Sequence, residues 1–349
     1  MAIIEDFVNT AKEQKASDLH IIAGIPPRIR VNGELCSLND QEVSVADVEG
    51  MLNQVIPSHF RAILEKQGET EFTCQIGVAR CRINVFLQQK TPSVTIRILR
   101  DEIPGTQELG IPFSVVELTK KRQGLIFITG AHGSGKTTTA ASLIDKINMD
   151  RNASIITIEN PIEYLYCYKK SMICQREIGA DATNCAKALR AALKEDADVI
   201  LAGELRDAEA VLAAVAAAEA GCLVFAVLHT FGVVSTLNYI IDLLSESGKY
   251  ICSRLASVIE AVVSQQLITM SDGVGRAAAF EVMYATDAIR SLIREARTSQ
   301  IDSLIQSDKK FGMQGMDDAV YQLYLSRKID ADKAILAARN PEILAKRIL

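Results

Sequence analysis

Residues 130–137 leave this chain few ways to fold. They read Gly130-Ala131-His132-Gly133-Ser134-Gly135-Lys136-Thr137, a complete G-x-x-x-x-G-K-T. The apolar run Leu125–Thr129 precedes them, and an Ala/Leu-rich stretch from Thr138 to Ile147 that reads as helix follows. Strand, glycine loop and helix in that order are what a phosphate-binding loop requires. Glycines let backbone N–H groups turn inward around an anion, and the helix N-terminus adds partial positive charge. Such a loop assigns Gly130, His132, Gly133, Ser134, Gly135 and Thr138 to the phosphate cradle. Lys136 then reaches the β- and γ-phosphates of a nucleoside triphosphate, and the Thr137 hydroxyl holds Mg²⁺.

The 349 residues suggest two domains, each large enough for its own core. The formal net charge of −5 argues against a dedicated nucleic-acid binder, although it leaves room for a local basic groove. The opening of the chain does not read as a signal peptide, since Ala2-Ile3-Ile4 runs at once into Glu5-Asp6. The most apolar stretch, 208–228, is interrupted by Glu209 and Glu219 and reads as an Ala-rich helix followed by a buried strand, not a membrane span. The cysteines (Cys36, Cys74, Cys81, Cys167, Cys174, Cys185, Cys222 and Cys252) are scattered and form no C-x-x-C. They read as reduced, mostly buried small hydrophobes of a cytosolic protein, with no structural zinc expected.

Along the chain, Ile3, Ile4, Phe7, Val8 and Ala11 fall at helical spacing. Arg28–Val31, Asn32-Gly33 and Glu34–Leu38 read as a hairpin, because Asn-Gly supplies the positive φ angles of a type I′ turn. Helices are predicted over about 44–55 and 57–67, and strands over 70–76, 79–87 and 93–99. This mixture reads as an N-terminal α+β domain over 1–100. Turn punctuation in 101–112 marks a linker. Beyond it, apolar runs at 124–129, 154–158, 198–202 and 222–228 alternate with helical stretches, the pattern of a mostly parallel sheet flanked by helices. That α/β domain spans 113–349. From about Lys249 its sequence reads as helical, with 277–282 as one short strand.

A strand ending in an acidic residue should lie beside a phosphate loop, to handle Mg²⁺ and the attacking water. Asp198-Val199-Ile200-Leu201-Ala202-Gly203-Glu204 has that form, and places Glu204 where open α/β sheets bind their ligands. There its carboxylate can polarise or deprotonate water. A second acidic site ends another apolar strand, at Glu159-Asn160-Pro161-Ile162-Glu163, although Asn-Pro often simply begins a turn. Leu228-His229-Thr230 closes the apolar strand predicted over 223–227. A lone histidine is more often structural than catalytic, but this one ends a strand of the same sheet. Arg82 and Arg97 fall on consecutive predicted strands of the first domain, with Arg80 nearby. Strand arginines are ordinarily solvated, yet one placed against a γ-phosphate stabilises the transition state.

Together these residues resemble the secretion ATPase superfamily of type II secretion (GspE-like) and type IV pili, and within it the PilT-like pilus retraction ATPases. The stretch 193–207, carrying Asp198, Glu204, Arg206 and Asp207, is similar to the Walker B signature. The stretch 159–163 is similar to the Asp box, and 219–230 to the His box. Ala16-Ser17-Asp18-Leu19-His20, Gly24–Pro27 and Arg30–Gly33 resemble the family's opening segment, and Ala288-Ile289-Arg290-Ser291-Leu292 its A-I-R-N-L motif. The resemblance covers essentially the whole chain. The extra N-terminal domain and cysteine cluster of assembly ATPases are missing.

The resemblance implies a PAS-like N-terminal domain, a RecA-like ATPase domain and a cytoplasmic homohexamer that hydrolyses ATP with Mg²⁺. It implies an inner-membrane pilus platform protein as partner, with other pilus ATPases as further candidates, while the weakly acidic charge balance leads us to expect no nucleic acid. It makes Glu204 the catalytic glutamate, Glu163 the essential carboxylate near metal or water, and His229 a reporter on the γ-phosphate. Arg82 and Arg97 match the arginine-finger positions, and Arg206 ties the site to its neighbours. Asn160, Lys194, Ala197, Cys222 and Ser291 depart from the pattern, which usually has Asp, Arg, Pro, His and Asn there. Asn160 removes charge near the metal, and Cys222 removes a hydrogen-bonding switch. The expected function is a motor driving pilus retraction. The alternatives are an accessory retraction ATPase that needs a partner motor, a nucleotide-gated assembly protein with little hydrolysis, and a DNA translocase, disfavoured by the charge balance.

Overall fold

A computed structural model describes residues 3–31, 33–99, 102–244, 249–273 and 275–348. Two compact units emerge: Met1–Glu102 with Pro161–Leu165, and Ile103–Asn160 with Tyr166–Leu349. Asn32, half of the expected Asn-Gly turn, lies outside the described residues, as do Arg100, which ends the expected first domain, and Asp101, the first residue of the expected linker.

The first unit contains helix α1 (Ile4–Glu13), strands β1 (Asp18–Ile21), β2 (Arg28–Val31) and β3 (Glu34–Ser37), and helices α2 (Val45–Val55) and α3 (Ser58–Gln67). Strands β4 (Glu69–Ile76), β5 (Ala79–Gln88) and β6 (Thr91–Ile98) complete it. Its sheet runs β3-β2-β1-β6-β5-β4, and every neighbouring pair is antiparallel. Ser44 caps α2 in a reciprocal box with Asp47, a motif that contributes about 1 kcal/mol. In β5 the two-residue period buries Ala79, Cys81, Ile83 and Val85 in the core. That alternation turns Arg80 and Arg82 to the other face. Arg82 stands directly opposite Arg97 on β6. Like charges so placed repel unless carboxylates intervene.

The second unit opens with helix α4 (Phe113–Glu117), strand β7 (Gly124–Thr129), helix α5 (Lys136–Asp150), strands β8 (Ser154–Glu159) and β9 (Met172–Glu177) and helix α6 (Cys185–Ala192). Strand β10 (Val199–Ala202), helix α7 (Ala208–Glu219), strand β11 (Leu223–Leu228) and helices α8 (Val233–Leu243) and α9 (Lys249–Val258) follow. Strands β12 (Ile259–Thr269) and β13 (Arg276–Tyr284) come next. Helices α10 (Asp287–Arg294), α11 (Ile301–Ser307), α12 (Met316–Leu325), α13 (Ala331–Ala337) and α14 (Pro341–Ile348) close the chain. The sheet runs β13-β12-β7-β11-β10-β8-β9, parallel throughout except where β13 returns against β12. Every residue of β7 and β11 is buried, as expected of parallel strands covered on both faces.

Two expectations are corrected. Residues 249–349 are not helical around a single short strand: β12 pairs with β7, and β13 is longer than 277–282. The β12 sequence hides its nature because Ser264-Gln265-Gln266 interrupts its apolar run. Ser264 and Gln265 are nonetheless buried and satisfied by side-chain hydrogen bonds. Strand β9, also unforeseen, is an edge strand with few buried side chains and no strong alternation. The cysteines are not mostly buried. Cys36, Cys167 and Cys174 are exposed, Cys74 and Cys185 are intermediate, and Cys81, Cys222 and Cys252 are buried; all are free thiols. Cys36 and Cys174 sit on the edge strands β3 and β9, each paired on one side only among the described residues. No helix among the described residues is long and apolar enough to cross a membrane.

Candidate active site

Because β8, β10, β11 and β7 run parallel, their C-terminal ends share one edge of the second unit's sheet. The phosphate loop leaves β7 there and enters the 15-residue helix α5. Gly130 has φ +146°, and a side chain on it would strike the Gln265 carbonyl and the Ser134 hydroxyl. Gly135 has φ +87°, and its Cβ would lie 2.9 Å from Gln265 Nε2. Gln265, on β12, therefore forms the floor of the loop, and Thr139 on α5 donates to its Oε1 at 2.7 Å. Sequence reasoning missed Gln265; its only signal was a polar residue inside an apolar run.

The loop has the character of an anion cradle. Ser134 Oγ is buried without a hydrogen-bond partner among the described residues. Lys136 is buried and its Nζ donates to the Ala131 carbonyl at 2.7 Å, folding back across the loop. Burial lowers the Lys136 pKa, and the charge of Glu204 opposes that. Gly133, at φ +74°, and His132 are exposed, while Thr137 and Thr138 are half-buried at the start of α5. The glycine backbone, the orphaned hydroxyl and the lysine suit a polyphosphate, and Thr137 offers one hydroxyl oxygen to the Mg²⁺ that accompanies it.

Glu204 is held between two strands of this edge. Gly203 N donates to the Ile158 carbonyl at 2.8 Å, and Leu205 N to the Val227 carbonyl at 3.0 Å. A side chain on Gly203 would press against Ile158 O at 3.0 Å, so glycine permits the close passage. The Glu204 carboxylate meets Arg206 Nη2 at 2.7 Å and His229 Nε2 at 3.2 Å. His229 follows β11 directly, and its ring centroid lies 6.2 Å from that of His132. Burial first, then the nearby Lys136 charge, hold the His229 pKa below its ordinary value, against the pull of Glu204. Both effects disfavour the charged imidazolium. Asp207 caps α7, accepting from Ala210 N at 2.8 Å, and fixes the turn that carries Glu204 and Arg206. Lys136, Glu204, Arg206, His132 and His229 are thus brought together. Glu159 is buried and accepts from the Thr157 hydroxyl at 2.7 Å and from Gln175 Nε2 at 3.3 Å.

Glu163 belongs to the strip Pro161–Leu165 of the first unit. There Arg82 Nη1 donates to Glu163 Oε1 at 2.9 Å, while its Nε and Nη2 fork onto Glu71 at 2.7 and 2.9 Å. Burial opposes the Arg82 charge, but the two carboxylates overcome it and hold its pKa above the usual value. Arg80 donates to Thr73 Oγ1 at 2.8 Å and to the Ile162 carbonyl at 2.9 Å. Arg97 meets Asp18 at 2.9 Å. These carboxylates offset the cross-strand repulsion between Arg82 and Arg97. Glu163 and Thr137, both read as metal residues from sequence, belong to different units.

Asn160 is exposed just beyond β8. Cys222 stands before β11, at the end opposite His229, and its Sγ donates to the Ala197 carbonyl at 3.1 Å. At about 3.3 Å per residue the intervening strand separates the two by roughly 20 Å. The expected loss of a switch at Cys222 is therefore not a change at this chain's own phosphate edge. Ser291 is half-buried on α10. Its neighbour Arg290 donates to the Ala256 carbonyl at 2.7 Å and to Glu260 at 2.8 Å, tying α9 to α10.

A glycine-loop lysine, a strand-end glutamate and a strand-end histidine on one edge of a mostly parallel sheet define a nucleotide-binding P-loop protein. More particularly, the chain belongs to the type II/IV secretion system protein family, whose model matches residues 1–326. It is 37% identical over 344 residues to a twitching motility protein of Neisseria gonorrhoeae, covering 98% of this chain and 92% of that one. It is also 37% identical to the type IV pilus retraction ATPase PilT of Pseudomonas aeruginosa, over 97% of this chain and 99% of that one. The crystal structure of the pilus retraction motor PilT with bound ADP matches with a TM-score of 0.91 and 39% identity, covering 99% of this chain and 100% of that one. That match extends over the whole of this α/β architecture.

Proposed function

We propose that this chain is an ATP-hydrolysing motor that drives type IV pilus retraction. The observation that carries it is the convergence of Lys136, Glu204 and His229 on one edge of a chain similar to PilT over its whole length. The loop amides, Ser134 and Lys136 grip the phosphates of ATP. The Thr137 hydroxyl would hold Mg²⁺, which when bound would supply charge neutralisation to the phosphates. Among the described residues no group of three or more His, Cys, Asp or Glu makes a protein cage for a metal.

Glu204 is the base: His229 and Arg206 orient its carboxylate toward a water, and it takes the proton as the water attacks the γ-phosphorus. His229 reports on the γ-phosphate. Arg82 and Arg97 act as arginine fingers, which requires each to exchange a carboxylate partner for phosphate. Glu163, as the partner Arg82 would release, then becomes available to metal or water. The protein works as a homohexamer in the cytoplasm, pulling on an inner-membrane pilus platform protein.

The test is phosphate release by the purified oligomer, paired with twitching of cells carrying the same variants. Lys136→Ala and Glu204→Gln should each cut turnover by about 10² or more and stop twitching. Wild-type turnover in either variant overturns the catalytic assignment, and twitching without turnover overturns the coupling.

A further inference from the structure

The turn that carries His229 is held from the C-terminal side of the chain. Beyond His229, Thr230 Oγ1 meets Thr236 Oγ1 at 2.8 Å, and Thr236 lies 3.3 Å from the hydroxyl of Thr129, the residue before the phosphate loop. Gly232 N donates to Ser264 Oγ at 2.8 Å, and Val233 N, the first residue of α8, to Glu281 Oε2 at 2.8 Å. Glu281, on β13, is buried, and Arg339 meets it through both Nη atoms, at 3.0 and 3.1 Å.

The same guanidinium lies 5.7 Å from the centroid of the Phe231 ring and covers the Cα of Gly232. Residue 232 has φ +91°, which favours glycine, and a side chain there would displace the guanidinium. Arg339 is itself anchored: its backbone N donates to Asp317 Oδ1 at 2.6 Å, and Asn340 N donates to Asp317 Oδ2 at 3.1 Å. Asp317 is on α12, and residues 338–340 join α13 to α14. Arg339 thus packs on Phe231 and Gly232 and, through Glu281, holds the backbone of Val233, positions two to four residues after His229.

We propose that Arg339 is a positioning residue for hydrolysis, fixing the 229–233 turn so that His229 and Glu204 keep their register. Through it the packing of α12–α14 sets the geometry at the phosphate edge. This rests on the reading of His229 as a catalytic-site residue. A neutral substitution would leave Glu281 buried without its cation, so the turn would lose both its outer clamp and a charged acceptor.

The test is a double-mutant cycle on the full-length oligomer, reading kcat and KM for ATP and the Kd of a fluorescent ATP analogue. Arg339→Gln should lower kcat by roughly tenfold, the scale expected of a coupling residue, with the Kd little changed. Arg339→Lys keeps a charge opposite Glu281, which secures folding, but cannot fork onto the carboxylate while stacking on Phe231. It should retain an intermediate kcat. In a His229→Ala background, Arg339→Gln should cost nothing further. Equal losses in both backgrounds, wild-type kcat in Arg339→Gln, or a Kd loss that accounts for the kcat loss would each overturn the proposal. Wild-type kcat in His229→Ala alone would overturn the reading beneath it, a separate outcome.

Discussion

Glu204 Oε1 lies 3.2 Å from His229 Nε2, although the two residues come from separate strand ends, those of β10 and β11. Parallel pairing makes this meeting a consequence of register. Ala202 faces Ala226, so the loops that follow the two strands emerge side by side. With Arg206 on its other oxygen, Glu204 is held as an oriented carboxylate beside the phosphate loop.

That geometry separates binding from chemistry. Glu204→Gln retains the shape and a hydrogen-bonding side chain but cannot accept the water's proton. Turnover should fall by about 10²–10⁴, the usual worth of a positioned general base, while ATP still binds. Lys136→Ala should instead lose ATP binding as well. Phosphate release and analogue titration on the same samples distinguish the two.

His229 should titrate below the ordinary histidine value, because burial and then Lys136 disfavour its charged form. The folded protein then takes up this proton less readily than the unfolded chain. Below about pH 6.5 stability should fall with pH, levelling off beneath the folded-state midpoint, and should rise again as pH rises through that window. Histidine NMR titration measures the midpoint directly. Lys136→Ala should move it upward, and an unmoved midpoint would exclude the lysine as a cause.

The sequence made β7, the glycine loop and α5 legible because apolar run, glycines and helix formers agree with one another at every level. Glu204 and His229 were readable for the same reason, each ending a buried run. β12 was not, since Ser264 and Gln265 look like solvent residues until their partners Gly232 and Thr139 are seen. Nor did spacing reveal that Glu163 pairs with Arg82, a contact between residues 81 positions apart. Arg339 carried no motif at all. Its importance comes from packing against Phe231 and Glu281, which only the folded chain brings to it.

Gln265 should matter to the loop without touching a phosphate. Gln265→Ala removes the acceptor of the buried Thr139 hydroxyl and should cost about 1–3 kcal/mol of stability. Gly130→Ala should cost more, since φ +146° is strained for any side chain and the Gln265 carbonyl blocks the space. Chemical denaturation measures the order. A Gly130→Ala protein as stable as the parent would contradict this account of the loop.

Arg82 forks onto Glu71 while its remaining nitrogen reaches Glu163, a task that suits guanidinium and not ammonium. If Arg82 is an arginine finger, Arg82→Lys should lower kcat nearly as far as Arg82→Ala, by about 10³ or more, with ATP affinity preserved. Neutralising Arg82 also relieves its repulsion of Arg97, so thermal stability should fall less than the loss of two ion pairs suggests. A kcat within a fewfold of wild type in Arg82→Ala would remove the residue from catalysis.

The thiols offer a check on the site that needs no nucleotide. Cys185 begins α6, a position that ordinarily favours thiolate. Burial first, and then the carboxylates of Asp207 and Glu204, push its pKa up to about 12 instead. Burial raises Cys74 to about 11. Alkylation of the native protein near pH 8, mapped by mass, should therefore modify Cys36, Cys167 and Cys174 first. Cys185 should stay protected until the chain unfolds. Because burial is the leading cause, Glu204→Gln should leave that protection nearly intact. Rapid Cys185 labelling in the native wild-type protein would mean that α6 does not pack beside the Glu204 turn as described.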